Sequence, residues 1–338
     1  MPESRLNGAE RRLQHPFRKL PIFKGLLMAS VVAATYWPIR ALPDRHALPR
    51  VTVPLHVQAA ELPLPTGPLR LAGAWVLGAT DRRFGGISGL AIDGGRFLAV
   101  TDRGAVIRFD YPTANRPLVE LADLRQGPGA FEKKLARDAE SLAADPSGRG
   151  WWVGYERNHS LWLYDTGFDH VLASIDLPSV GWRDNRGAEG LLAGNDHLLV
   201  TAENGRDALQ VGAGTVERFE LDARAEVADA AHAPDGSHWL LLRTKGLGGF
   251  VQSIAPLKKT AAGYGVGPRW QLPKDMFDNF EGMAIEGLGD GGWRFWLISD
   301  DGHRIMARTL MVALDHNPVG HGKGPATRAG PSAKPDVK

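Results

Sequence analysis

An all-β fold, a β-propeller of five four-stranded blades, is predicted by three features of the chain. A short phrase recurs at a nearly constant spacing, the apolar runs are too short for helices, and glycine or proline punctuates them. The phrase reads GGISGLAID at residues 85–93, RDAESLAAD at 137–145, RGAEGLLAG at 186–194 and DNFEGMAIE at 278–286, with a weaker copy, EVADAAHAP, at 226–234. Each copy precedes a second apolar run that ends in polar or charged residues: RFLAVTDRG, GWWVGYERN, HLLVTAENG, HWLLLRTKG and RFWLISDDG. Aligned on Ser88, Glu140, Glu189, Asp229 and Glu281, the copies are 52, 49, 40 and 52 residues apart. Repeats of that length mark solenoids and propellers.

Taken in order, residues 69–78 (LRLAGAWVLG) form a strand with no local partner. It is predicted to become the outer strand of the last blade and so close the ring. The first unit supplies strands at 87–92, 97–101 and 105–109, each five or six residues long, rich in Val, Ile, Leu and aromatics and bounded by turn formers. The second unit shows the blade plan most clearly: AESLAAD, WWVGYE, SLWLYD and VLASIDLP are separated by DPSGRG, RNH and TGFDH. The third unit is compressed around 216–221, which leaves a sixth blade open. The fifth offers three strands, ending in RIMARTLMVAL at 304–314. Between 70 and 314 only 131–135 hints at a helical turn. Four-stranded units around an axis leave short, protected edges, which is how such a ring avoids edge-to-edge association. Trp151, Trp152, Trp162, Trp239, Trp293 and Trp296 fall in these strands, and their expected place is between blades, where aromatics dominate burial.

The two ends are different in kind. Residues 1–24 carry six Lys or Arg against two acids, and 25–39 (GLLMASVVAATYWPI) are apolar and uncharged. This is the grammar of an export signal or, uncleaved, of a membrane anchor. At 15 residues the stretch is short for a spanning helix, which needs about 17–25. The expected organisation is therefore a signal or anchor at 1–40, a Pro-rich tether at 41–68, the propeller at 69–314 and a disordered tail at 315–338. An extracytoplasmic, monomeric protein is expected. The chain as a whole carries +2, but both ends are basic, so the propeller itself is mildly acidic. It lacks the clustered Lys and Arg of a nucleic-acid face. The absence of cysteine removes disulfides, thiolate chemistry and Cys-based zinc sites.

The chemistry is expected where the repeats place their polar residues. In a propeller the start of the first strand and the end of the second meet on one rim. The opening set is Ser88, Glu140, Glu189, Asp229 and Glu281; the closing set is Asp102, Glu156, Glu203, Arg243 and Asp300. Eight of these ten are carboxylates. Like charges and desolvation both penalise such a crowd, so it needs cations of the chain or a hard metal. Calcium takes six to eight oxygen ligands in loose geometry and suits an acidic rim. The metal candidates are Glu140, Glu189 and Glu281, then Asp102, Asp229 and Asp300. Glu156 or Glu203 is the candidate general base, and Arg243 and Arg157 would steady an anionic substrate such as a phosphoester. A repeated acid at a strand end can also simply cap a turn, a role that suits Asp102, Asp229 and Asp300 better than the glutamates. No G-x-S-x-G elbow, H-E-x-x-H pair or EF-hand loop occurs.

The phrases RDAESLAADPSGRGWWVGYERNHSLWLYD, NRGAEGLLA and DNFEGMAIE with WLISDDG resemble the phytase-like family described as having "esterase-like activity of phytase". The resemblance spans roughly 70–314 and implies an architecture similar to β-propeller phytases, with calcium and phosphoester chemistry. It carries over to Glu140, Glu156, Glu189, Glu203, Glu281 and Asp300. The fourth unit departs from the family pattern: Arg243 stands at the rim and a Gly-rich stretch follows. Two function classes remain: a calcium-dependent hydrolase of phosphoesters or related esters, and a non-catalytic envelope propeller that binds a protein or glycan with calcium as a structural ion.

Overall fold

Short apolar runs broken by glycine, aspartate and proline leave strands as the only extended regular elements among the described residues. The computed structural model describes residues 46–132, 136–177, 182, 186–212, 214–246, 249–272, 278–289, 291–303 and 307–317. The apolar segment 25–39, the basic stretch before it and the tail from 318 lie outside them. No helix among the described residues is long and apolar enough to cross a membrane.

The chain opens with β1 (Val51–Pro54), β2 (His56–Ala59) and β3 (Leu69–Gly78). The first repeat unit holds β4 (Ile87–Asp93), β5 (Arg96–Thr101), β6 (Ala105–Phe109) and β7 (Leu118–Asp123). The second holds β8 (Ala139–Ala144), β9 (Gly150–Tyr155), β10 (Ser160–Asp165) and β11 (Val171–Asp176). The third comprises β12 (Ala188–Ala193), β13 (Leu198–Ala202), β14 (Asp207–Gly212) and β15 (Thr215–Asp222), so the compressed unit still yields four strands. The fourth has β16 (Glu226–His232), β17 (His238–Gly246), β18 (Gly249–Lys259), β19 (Gly263–Val266) and β20 (Trp270–Gln271). The last has β21 (Asn279–Gly287), β22 (Trp293–Asp300) and β23 (Thr309–His316).

Each unit is an antiparallel meander. β3 pairs antiparallel with β23, from Thr309 opposite Leu77 to His316 opposite Leu69. Two features were not anticipated. The segment expected as a tether contains strands: β1 adds to β7 of the first sheet and β2 adds to β3 of the last. The third and fourth units also merge into one sheet through a parallel pairing of β15 with β19.

Burial follows position in the sheet. The second strand β9, GWWVGY, is buried along its whole length, whereas the outer strand β11, VLASID, alternates half-buried and exposed, as expected for strands covered on two faces and on one. Alternation also divides side chains between neighbouring units. Trp151 packs with Leu98 and Val106 of the first unit, and Trp152 packs with Leu191 and Val200 of the third. Five apolar clusters lie between successive units, the last joining Trp296 and Met311 to Phe97 and Phe109 of the first. The first strands also pack side by side: β4 with β8, β8 with β12, β12 with β16, β16 with β21 and β21 with β4. The architecture is all-β and propeller-like.

One irregularity recurs in every unit and positions the functional residues. The ladder between first and second strands skips one residue: Ser88, Glu140, Glu189, Ala228 and Glu281. A bulge leaves the extra residue unpaired and re-aims its side chain. The fourth unit is therefore offset by one from the sequence alignment: Ala228, not Asp229, matches the glutamates.

Candidate functional site

The bulges gather Glu140, Glu189 and Glu281 at the end of the first strands where the second strands finish. The closing residues follow directly on the last ladder pairs. The amide of Asp102 donates to the carbonyl of Gly86 (2.8 Å), that of Glu156 to Asp138 (3.0 Å) and that of Glu203 to Gly187 (3.3 Å). Arg243 lies opposite Glu226, and Asp300 opposite Asn279. Close approach demands glycine here: a Cβ on Gly187 would sit 2.5 Å from the Glu156 Cα of the preceding unit. Gly86 takes a positive φ of 61° and points its absent side chain at Asp102.

The gathered groups divide into two halves. In the first, Asp138, Glu140 and Glu156 each bring a carboxylate oxygen within 4.8 Å of the others. Asp138 also accepts from Arg157 Nε at 3.1 Å. Burial pushes the Glu140 carboxyl well above the usual range, and Glu189, Asp138, Glu281 and Glu156 push it further. Glu156 rises to about 8, through burial and then Asp138, against the pull of Arg157. Glu189 is buried and also raised well above the ordinary value; Arg243 lowers it, while Glu203, Glu281 and Glu156 oppose that effect. No hydrogen bond from the described residues reaches the carboxylates of Glu140 or Glu189.

The second half is neutralised by the chain itself. The Arg243 side chain is only 8% exposed. It donates to Glu203 Oε1 at 3.0 Å, Glu226 Oε2 at 3.3 Å, Asn279 Oδ1 at 3.1 Å and Glu281 Oε1 at 2.5 Å. Desolvation opposes its charge, yet Glu281, Glu189 and Glu203 more than offset that cost and hold it protonated. Lys245 reaches Glu226 at 3.1 Å, and Arg186 lies 3.5 Å from Glu203 and 3.7 Å from Glu226. Beyond them, Asp300 is raised by burial and by Glu281 and Asp102. Asp300 accepts from the Gly302 amide at 2.6 Å, a turn cap. Asp301 accepts from the amides of Gly86 and His303.

Asp229 stands apart. One residue beyond the bulge, it is buried between first strands and accepts the amides of Ala230 (2.7 Å) and Met283 (2.6 Å). Burial raises its carboxyl well above the normal range, and backbone amides, Leu90's included, partly counter this. The structure thus brings together nine of the ten acidic and basic candidates and gives Asp229 to the backbone. Four polar residues of the site went unlisted in the sequence: Lys245, two residues past Arg243 on the same strand, and Asp138, Glu226 and Asn279. The last three stand two residues before a bulge, and in a strand i and i+2 share a face, so the pattern Asp-Ala-Glu, Glu-Val-Ala, Asn-Phe-Glu was the available signal.

The donor set suits a hard cation at Asp138, Glu140 and Glu156. Three crowded carboxylates need positive charge, all offer oxygen, and their spacing lets them share one ion. The Glu203, Glu226 and Glu281 side does not suit one, because the Arg243 guanidinium already occupies the space between them.

Comparison with known proteins agrees on family. The phytase-like family, described as esterase-like activity of phytase, matches residues 82–303. No curated protein matches. Among solved structures, Kuenenia stuttgartiensis hydrazine synthase is 14% identical with a TM-score of 0.37, over 63% of this chain and 56% of that one. The chain thus spans little over half of that relative. Myxococcus xanthus glutaminyl cyclase is 15% identical with a TM-score of 0.46, over 74% of this chain and 97% of that one. A calcium-binding protein, regucalcin, from Agrobacterium tumefaciens is 13% identical with a TM-score of 0.42, over 72% and 79%. With its repeated acidic phrases lying inside the matched span, the chain belongs to the phytase-like family.

Proposed function

We propose that this chain is a five-bladed propeller, closed by β3 as the outer strand of the last blade, that hydrolyses phosphoesters or related esters with calcium held at its acidic end. The five apolar clusters, the cycle of first-strand contacts and the pairing of β3 with β23 support the blade count and closure. The basic and apolar grammar of residues 1–39 supports an extracytoplasmic protein, tethered through 25–39 if that segment is retained.

The single observation that carries the reading is the contrast between the two halves of the site. One cluster of acids is saturated by Arg243, while Asp138, Glu140 and Glu156 crowd within 4.8 Å of one another beside Arg157, a spacing that one hard cation can bridge. Calcium there would polarise a phosphoryl or acyl oxygen and make a bound water more acidic. Asp138, Glu140 and Glu156 would hold the ion. Glu189 is the best placed general base: no hydrogen bond from the described residues holds its carboxylate, and burial raises its proton affinity above that of an ordinary glutamate. Arg157, Arg186 and Lys245 border the acids and would hold the substrate's anionic oxygens. Arg243 keeps Glu281 and Glu203 fixed, so its part is to position.

The test is turnover by the full chain in detergent, with calcium or with chelator, of phytate, a simple phosphomonoester, an aryl ester and a lactone. Calcium-dependent phosphoester turnover that Glu189→Gln reduces by a factor of about 100 or more, with calcium affinity retained, is the expected result. Ester or lactone turnover alone would move the chemistry to acyl transfer. No turnover by folded, calcium-loaded protein would leave the partner-binding reading in its place.

A further inference from the structure

A second group of ligating side chains lies at the far end of the fourth unit's hairpin, away from the acids. β16 runs from Glu226 at the acidic end to His232, and β17 starts back at His238 and reaches the acidic end at Arg243. His232 and His238 face each other directly in register. Such cross-strand partners have Cβ atoms about 5 Å apart, and here the rings stand edge to face with centroids 4.7 Å apart. Both line a cavity of about 290 Å³, and His197, from the loop between β12 and β13, lines it too. His197 Nδ1 lies 2.6 Å from Asp196 Oδ1. A carboxylate on one ring nitrogen fixes the tautomer and frees the other as a ligand, the arrangement common behind metal-bound histidines. Leu192, Leu199 and Leu257 form the apolar side of the cavity, and the exposed Lys259 borders it.

We propose that His232, His238 and His197 form a site for a borderline divalent transition metal such as zinc, separate from the carboxylate cluster. Imidazole nitrogen selects zinc, copper or nickel over calcium, whereas the acid cluster offers oxygen alone. The cross-strand pair brings two imidazoles into contact on one wall of the cavity. Among the described residues only Asp138, Glu140 and Glu156 have three ligand atoms within 4.8 Å of one another, so His197 must turn its ring to join the pair. A half-exposed residue on a short loop can do so. Burial lowers the proton affinity of both His232 and His238, with His238 and His197 respectively adding to it, and the neutral imidazole is the form that binds metal.

The test is titration of calcium-saturated full chain with zinc, followed by calorimetry. One tight zinc equivalent is expected, retained in Glu140→Gln and weakened at least tenfold in both His232→Asn and His238→Gln. Zinc affinity unchanged in both histidine variants, or no zinc bound in the presence of calcium, would overturn the proposal. Should a variant fail to fold, imidazole nitrogen chemical shifts in the unsubstituted protein decide: zinc must move those of His232 and His238 first, and unmoved signals reject the site.

Discussion

At Arg243 one guanidinium is shared among Glu203, Glu226 and Glu281. Removing a buried partner leaves the others as uncompensated charges, typically at a cost of about 3–5 kcal/mol. Arg243→Gln is therefore expected to lower the melting temperature sharply at pH 8 and less at pH 5, where Glu281, whose proton affinity burial already raises, takes up a proton instead. An equal loss at both values would show that packing, and not charge, is what Arg243 contributes. Glu156 gives a second pH signature. Its carboxyl is raised from an ordinary 4.5 to about 8, so the folded state holds a proton that the unfolded state releases in that interval. Metal-free protein is then most stable on this account below pH 4.5, and the contribution is lost as pH rises through 8. Calcium should flatten the trend, because it favours the ionised form. Melting curves in chelator and in calcium at pH 5 and pH 8.5 check this; parallel shifts in the two series would count against calcium at Glu156.

Among the elements, the N-terminal pair β1 and β2 joins the first sheet to the last. Val51–Pro54 lies along β7 and His56–Ala59 along β3, with Leu55 between them buried at 5% exposure in the cluster that also holds Trp296 and Phe97. Leu55→Ala should cost about 2–5 kcal/mol, the usual range for a buried leucine. Amide exchange should quicken first in β1, β2, β3 and β7; quickening confined to β1 and β2 would mean that the two sheets hold together without them. This strap was not legible in the sequence, because VTVP and HVQA are too short and too rich in flanking proline to outweigh a linker reading. The repeated meanders were legible, since their apolar runs and turns have a fixed period. So was the acidic end, since RDAES, RGAEG and DNFEG keep Glu at one offset. Register within EVADAAHAP was not, because its bulge residue is alanine and the neighbouring Asp229 mimics the missing acid. Asp229 instead ties the amides of β16 and β21 together.

For the whole molecule, the governing fact is that one end collects acids from every unit while the substrate class proposed for it is anionic. Asp138, Glu140, Glu156 and Glu189 crowd one side, and the Arg243 charge is spent on Glu203, Glu226 and Glu281. Focused negative potential of this kind repels anions and draws in cations. Anion binding at this end must therefore be conditional on cation binding, and the coupling is reciprocal. Inorganic phosphate should bind the calcium-loaded chain and show at least tenfold weaker affinity in chelator, about 1.4 kcal/mol. Saturating phosphate should tighten calcium by the same factor. Glu140→Gln removes a cation ligand and leaves Arg157, Arg186 and Lys245 in place, so it should weaken calcium and with it the gain in phosphate affinity that calcium brings, while phosphate affinity in chelator stays close to that of the unsubstituted chain. Phosphate that binds the metal-free chain as tightly as the loaded one would sink the coupling and leave the lysine and arginines as the anion site on their own. Calorimetric titration of each ligand in the presence and absence of the other distinguishes these outcomes on a single protein preparation.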